Sequence, residues 1–158
     1  MYQPTSPAQH DEDGFTLLEV VCVLAILAII AAIIVPAFPR GTTGPRLESY
    51  AVAIAALLKT DRNSALRRKL VVATDLDLTA RVVSSGTTDR VVRLPTDVTI
   101  DALLPERCNQ SRLRSAIHFF PSGMSCGAVI TLSRLGSGYE IRVNWLTGGI
   151  EIVSFKRS

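Results

Sequence analysis

A chain of 158 residues, 47% hydrophobic, with a formal net charge of +3 and a pI of about 9.0, is bounded before any motif is read. Beyond its N-terminal apolar segment, roughly 120 residues remain, enough for one small domain around a single core, and nothing in the sequence suggests two. No internal repeat or low-complexity tract is present, which excludes repeat architectures.

Residues 1 to 14 contain no Lys or Arg and end in Asp11-Glu12-Asp13-Gly14. From Phe15 to Val35 only Thr16 and Glu19 are strongly polar. At about 1.5 Å per residue this run makes roughly 30 Å of helix, the thickness of a hydrocarbon core. A secretory signal would show a basic start, a shorter apolar core and a small-residue cleavage site, whereas this run is long and followed by Pro36-Ala37-Phe38-Pro39. The lone carboxylate of Glu19 costs up to about 3 kcal/mol in a bilayer unless it snorkels or finds a partner.

Gly14-Phe15-Thr16-Leu17-Leu18-Glu19, followed by VVCVLAILAIIAAIIVP, closely resembles the N-terminus of type IV pilins and type II secretion pseudopilins. The resemblance implies cleavage by a prepilin peptidase between Gly14 and Phe15, N-methylation of Phe15, an assembly role for Glu19 and a helix kink at Pro36. Removing residues 1 to 14 takes away three acids and no base, so the mature chain would carry +6. The first basic residues, Arg40 and Arg46, follow the span, and charge bias alone would invert the topology. The cleavage motif instead places the leader in the cytoplasm.

Cleavage would leave an amine on Phe15 at the membrane edge. Carboxylate and ammonium attract strongly in low dielectric, and each is costly to desolvate unpaired. Phe15 and Glu19 lie four apart on one helix face, so pairing within one chain is open. Pairing with a neighbouring subunit's amine, which the resemblance favours, would set the axial register of a filament.

Gly41-Thr42-Thr43-Gly44-Pro45 is a breaker cluster, with Thr42 or Thr43 placed to cap a new helix and Pro45 in its first turn. A helix over 45–69 follows from the stripe Leu47, Tyr50, Ile54, Leu57, Leu58 and Leu66, with Glu48, Lys59, Arg62 and Arg67 mostly off it. Arg67-Arg68-Lys69 suits the negative end of the helix dipole. From Leu70 the period becomes two, with Val72, Leu76, Leu78, Ala80 and Val82 on one face of an expected strand. Ser84 to Asp89 reads as a turn, with weaker strands over 90–94 and 98–103. Clearer strands are expected at 116–120, 128–134, 139–145 and 150–155, with Tyr139, Ile141, Val143 and Trp145 sharing a face. The runs are separated by Pro121-Ser122-Gly123, Gly136-Ser137-Gly138 and Thr147-Gly148-Gly149.

Phe119, Phe120, Pro121 and Gly123, then Val143-Asn144 and Thr147-Gly148-Gly149, together with SALRRKLVVATDLD, resemble the globular domain of GspH-class minor pseudopilins. FimT/FimU-type minor pilins of type IV pili share these motifs. The expected fold is therefore α+β: a long N-terminal membrane-spanning pilin helix packed against an antiparallel β-sheet or sandwich domain. Its parts are a leader over 1–14, a transmembrane and assembly helix over 15–40 and a periplasmic domain over 41–158.

Cys22 lies in the apolar run, where a thiol behaves as a small apolar group. Cys108 and Cys126 fall in the expected periplasmic domain, where a disulfide would contribute about 3 kcal/mol by loop closure. Zinc held by Cys108, His118 and Cys126 fits no standard spacing and lacks a fourth ligand, so no metal is expected. No nucleophile motif or phosphate-binding loop is present, which argues against an enzyme and against a cofactor.

The expected role is that of a minor pseudopilin near the tip of a type II secretion pseudopilus, helping export folded proteins. Its implied partners are other major and minor pseudopilins, prepilin peptidase and the inner-membrane assembly platform, in a single-pass inner-membrane protein that enters a periplasmic filament. The alternative is a minor type IV pilin helping DNA uptake. Phe155-Lys156-Arg157 is thin support for nucleic-acid contact.

Overall fold

The computed structural model describes residues 16–34, 41–108, 111–112 and 115–156. The chain divides into two compact units, Met1–Arg40 and Gly41–Ser158.

In the first unit, helix α1 spans Leu17–Ile34. Thr16 opens it: its hydroxyl oxygen accepts the Glu19 N–H at 3.2 Å, as an N-cap accepts from the third helical position. Apart from Thr16 and Glu19, the side chains of residues 16–32 are apolar or small on every face, and all are exposed. Among the described residues no helix is long and apolar enough to cross a membrane. As described, α1 has 18 residues and rises about 27 Å. The apolar run of the sequence reaches beyond it to Phe15 at one end and Val35 at the other.

The second unit is an α+β domain. Helix α2 spans Gly44–Arg68 after a non-helical Gly41–Thr43, so a new helix starts at the breaker cluster. Thr43 occupies the N-cap position with extended backbone but makes no side-chain cap bond, and Pro45 sits in the first turn. The helix stops at Lys69, whose φ of 57° is left-handed. Leu47, Ile54, Leu57 and Leu58 are buried as the stripe requires, while Tyr50 and Leu66 are only half-buried. Ala51, Ala55 and Ala65 complete the buried face, along with two polar residues, Asp61 and Ser64.

Among the described residues ten strands follow: β1 Val72–Asp77, β2 Val82–Ser84, β3 Val91–Arg93, β4 Thr99–Leu103, β5 Arg107–Cys108, β6 Ser111–Arg112, β7 Ala116–Phe119, β8 Ala128–Arg134, β9 Ser137–Val143 and β10 Ile150–Lys156. They form two four-stranded sheets, ordered β3-β2-β1-β7 and β10-β9-β8-β4, plus the small β5-β6 ribbon. Every pairing is antiparallel. One core joins the inner faces of both large sheets to α2, with Ile54, Leu58, Leu76, Ile117, Phe119, Ile130, Leu132 and Ile141 among its fully enclosed side chains.

Two strands differ from the sequence pattern. The expected single strand through Val82 ends at Asp77, whose carboxylate accepts the Ala80 N–H at 2.7 Å and turns the chain. Arg81 then takes a left-handed φ of 55°, and Leu78 points to solvent. The alternation Tyr139, Ile141, Val143 holds on β9, but Trp145 does not share its burial: the strand stops at Val143 and Trp145 is 62% exposed in the following turn. Asn144 causes this, because its side-chain oxygen accepts the N–H groups of Leu146 (2.9 Å) and Thr147 (3.0 Å) and closes a local turn.

Candidate functional site

Of the residues singled out at the N-terminus, Gly14, Phe15 and Pro36 lie outside the described residues. Glu19 lies in the first turn of α1, on the favourable end of the helix dipole for an acid. The ion pairs among the described residues, Arg134–Asp97 and Arg142–Glu140, leave it unengaged. A lone carboxylate on this apolar helix can pair with a cation brought to it. Thr16, which caps that turn, was not singled out by its sequence context, although Thr-x-x-Glu is the spacing of a capping box.

In the globular domain, Cys108 and Cys126 form a disulfide, with Cα atoms 5.6 Å apart. It ties the β5-β6 ribbon to the segment after β7, where the Cys126 N–H donates to the His118 carbonyl at 3.1 Å. Both sulfurs are thereby committed, and among the described residues no group of His, Cys, Asp and Glu is arranged to hold a metal.

Three polar contacts were not legible as pairs in the sequence, and all involve long-range partners. The first is a latch at the entry to α2. Asp97 accepts the Thr42 N–H at 2.7 Å, the Thr42 hydroxyl at 2.9 Å and Arg134 Nε at 2.8 Å. The Thr42 amide, more than the hydroxyl or the Arg134 guanidinium, holds the Asp97 carboxyl below its ordinary range, against a smaller opposing effect of desolvation. The second is Asp61, a fully enclosed carboxylate on α2. It accepts from the hydroxyls of Thr74 (2.7 Å), Ser85 and Thr87 (2.7 Å) and from the Gly86 N–H (3.0 Å). A Cβ at Gly86 would collide with the Ala73 carbonyl, so only glycine lets the β2-β3 turn come this close.

The third contact joins the two C-terminal motifs. Arg62 of α2 donates from Nη2 to the Thr147 carbonyl at 2.8 Å and from Nε to the Gly123 carbonyl at 3.2 Å. Gly148, at a φ of +60°, packs so closely on Gly123 and Arg62 that no side chain fits there. The Ser125 amide donates to the Trp145 carbonyl and its hydroxyl to the Asn144 carbonyl, both at 3.0 Å. The Pro-Ser-Gly and Thr-Gly-Gly segments are therefore one structure pinned by Arg62. Arg62 appeared in the sequence as a residue off the apolar stripe, because helical periodicity reports burial and not a long side chain reaching sideways to carbonyls.

Residues 10–35 match the prokaryotic N-terminal methylation motif. The type II secretion system protein H of Xanthomonas campestris is 28% identical over 142 residues, covering 87% of this chain and 80% of that protein. Over most of its length the chain is therefore similar to a type II secretion protein H, and its N-terminus carries the pilin-type methylation motif. Its fold is shared with the minor pseudopilin EpsH of the Vibrio cholerae type 2 secretion system, at a TM-score of 0.55 and 10% identity over 71% of this chain and 96% of that one. The type IV minor pilin FimU of Pseudomonas aeruginosa also matches, at a TM-score of 0.53 and 13% identity over 69% of this chain and 89% of that one. At such identities the structural likeness speaks for the fold alone, and this chain combines that fold with the methylation motif.

Proposed function

We propose that this chain is a minor pseudopilin, a structural subunit near the tip of a type II secretion pseudopilus that takes part in exporting folded proteins. The observation that carries the reading is one chain joining the methylation motif to the α+β domain seen in EpsH, with a type II secretion protein H as a relative over most of its length. Its role is structural: it is processed by prepilin peptidase, held in the inner membrane and added to a periplasmic filament with other pseudopilins through the assembly platform.

The physics follows from α1. A helix apolar on all sides is stable only in lipid or against other apolar helices, and a filament subunit needs both environments in turn. In the bilayer, cleavage between Gly14 and Phe15 leaves a free amine on Phe15 beside the membrane surface, and the peptidase then methylates it. In the filament, Glu19 of one subunit meets that amine on its neighbour, and the pair relieves the desolvation cost of both groups. Glu19 thereby sets register.

Glu19→Ala is expected to leave peptidase cleavage intact while reducing co-assembly with partner pilins, measured as the fraction recovered in sheared filaments. Wild-type recovery of the variant would refute the pairing role. The second reading, a minor pilin of a type IV pilus, is favoured by one observation: the FimU fold matches nearly as well as that of EpsH. Co-assembly of the chain with secretion pseudopilins and not with type IV pilins, tested by expressing each set beside it, separates the two.

A further inference from the structure

The two ends of the globular domain are built differently. At one end the chain enters α2 under the Asp97 latch, close to the β8-β9 turn that follows Arg134. At the other end, about 27 Å along α2, Arg62 grips the turn between β9 and β10. That turn lifts Trp145, 62% exposed, and Leu146, 55% exposed, into solvent. It is locked while doing so: Asn144 accepts two amides with its side chain and one, from Gly148, with its carbonyl, and its own N–H donates to Gly149. Large apolar side chains on a turn fixed in advance lose little further entropy on binding, which is the property of an interface anchor.

The flank of this turn is basic. A groove of about 270 Å³ beside it is lined by Lys59, Arg62, Asn63, Gly148, Gly149 and Ile150. Arg67 and Lys69 follow at the same end of α2. Neither ion pair among the described residues involves any of these four cations. The one acid between Lys59 and Thr74 is Asp61, whose carboxylate is turned inward onto four neutral donors. Unneutralised cations around an apolar anchor fit an apolar pocket rimmed with carboxylates. Leu146 offers no stacking face to a base, and a Trp beside a Leu is the pairing of a protein contact more than of a nucleic-acid one.

We propose that the Trp145–Leu146 turn, with the Lys59–Lys69 flank of α2, docks the domain onto an adjacent pilin-like subunit that presents an acid-rimmed apolar pocket. The proposal rests on the filament-subunit reading, extends it to a surface of the globular domain, and is separable from it by experiment.

The test places the photo-crosslinker p-benzoylphenylalanine at position 146, or at position 26 in α1, of the full chain in cells that assemble the filament. The expected result is an adduct at 146 with a protein that mass spectrometry shows to carry an N-terminal methylation motif. Its yield should fall about tenfold with Trp145→Ala, as for loss of an anchor residue. It should fall also with Lys59→Glu combined with Arg67→Glu. Leu135→Ala, which removes an 87% exposed leucine from the β8-β9 turn at the other end, should leave the yield unchanged. Pilin-like adducts at 26 but none at 146, or adducts at 146 only with DNA, lipid or unrelated proteins, would overturn the docking surface and leave the filament reading standing. Absence of pilin-like adducts at both positions would overturn the docking surface and the filament reading together.

Discussion

The two helices of this chain satisfy their residues in opposite ways. α1 is apolar on every face, keeps one carboxylate near its start and makes no ion pair among the described residues. α2 is amphipathic, covers both sheets with its apolar face and sends polar side chains into the fold: Asp61 inward to the β2-β3 turn, Arg62 sideways to two loops. A helix with no internal partners can exchange bilayer for filament without unfolding anything. A helix whose side chains knit strands together cannot be moved without disassembling the domain. Changes in α1 should therefore read out in assembly, and changes around α2 in stability.

Asp61→Ala should give the largest stability loss. It leaves three hydroxyls and the Gly86 amide without their acceptor in an enclosed site, a cost of about 4 kcal/mol. Denaturant unfolding of the globular domain, residues 41–158, measures it. A loss under about 1 kcal/mol would mean that α2 is not knitted in as described. Reduction of the Cys108–Cys126 bond, separated by 18 residues, should cost about 3 kcal/mol by releasing loop closure. Melting with and without reductant checks this, and a Cys108→Ser variant that melts as wild type in both conditions would contradict it.

A smaller effect is expected from pH. The Asp97 carboxyl is held below its unfolded value, so its contribution is fully present above the unfolded carboxylate range and is lost as pH falls through the folded value. Melting temperature should drop below about pH 4 more steeply in wild type than in Asp97→Asn. Equal slopes would remove the latch from the account. The smallest stability effect belongs to α1: Glu19→Ala should leave the melting temperature of the domain unchanged while altering assembly.

What the sequence made legible follows the range of the interactions involved. The apolar run, Glu19 and the strand alternation over β8 and β9 are local patterns, and periodicity reads them directly. Trp145 was misplaced because alternation was carried past Asn144, whose side chain ends the strand by a local hydrogen bond. Asp61 has no mark in the sequence pattern, since nothing nearby in sequence announces donors 13 to 26 residues away. Arg62 and Asp97 were hidden for the same reason, their partners lying 37 to 85 residues off.

The most direct test of the central claim is the intact mass of the membrane-extracted protein, without reductant, from cells with and without prepilin peptidase. The account predicts, in the peptidase-containing strain, loss of residues 1 to 14 plus one methyl group, and an uncut chain in the other. An uncut, unmethylated chain in both strains would contradict it and leave Glu19 as an acid at the end of an ordinary anchor.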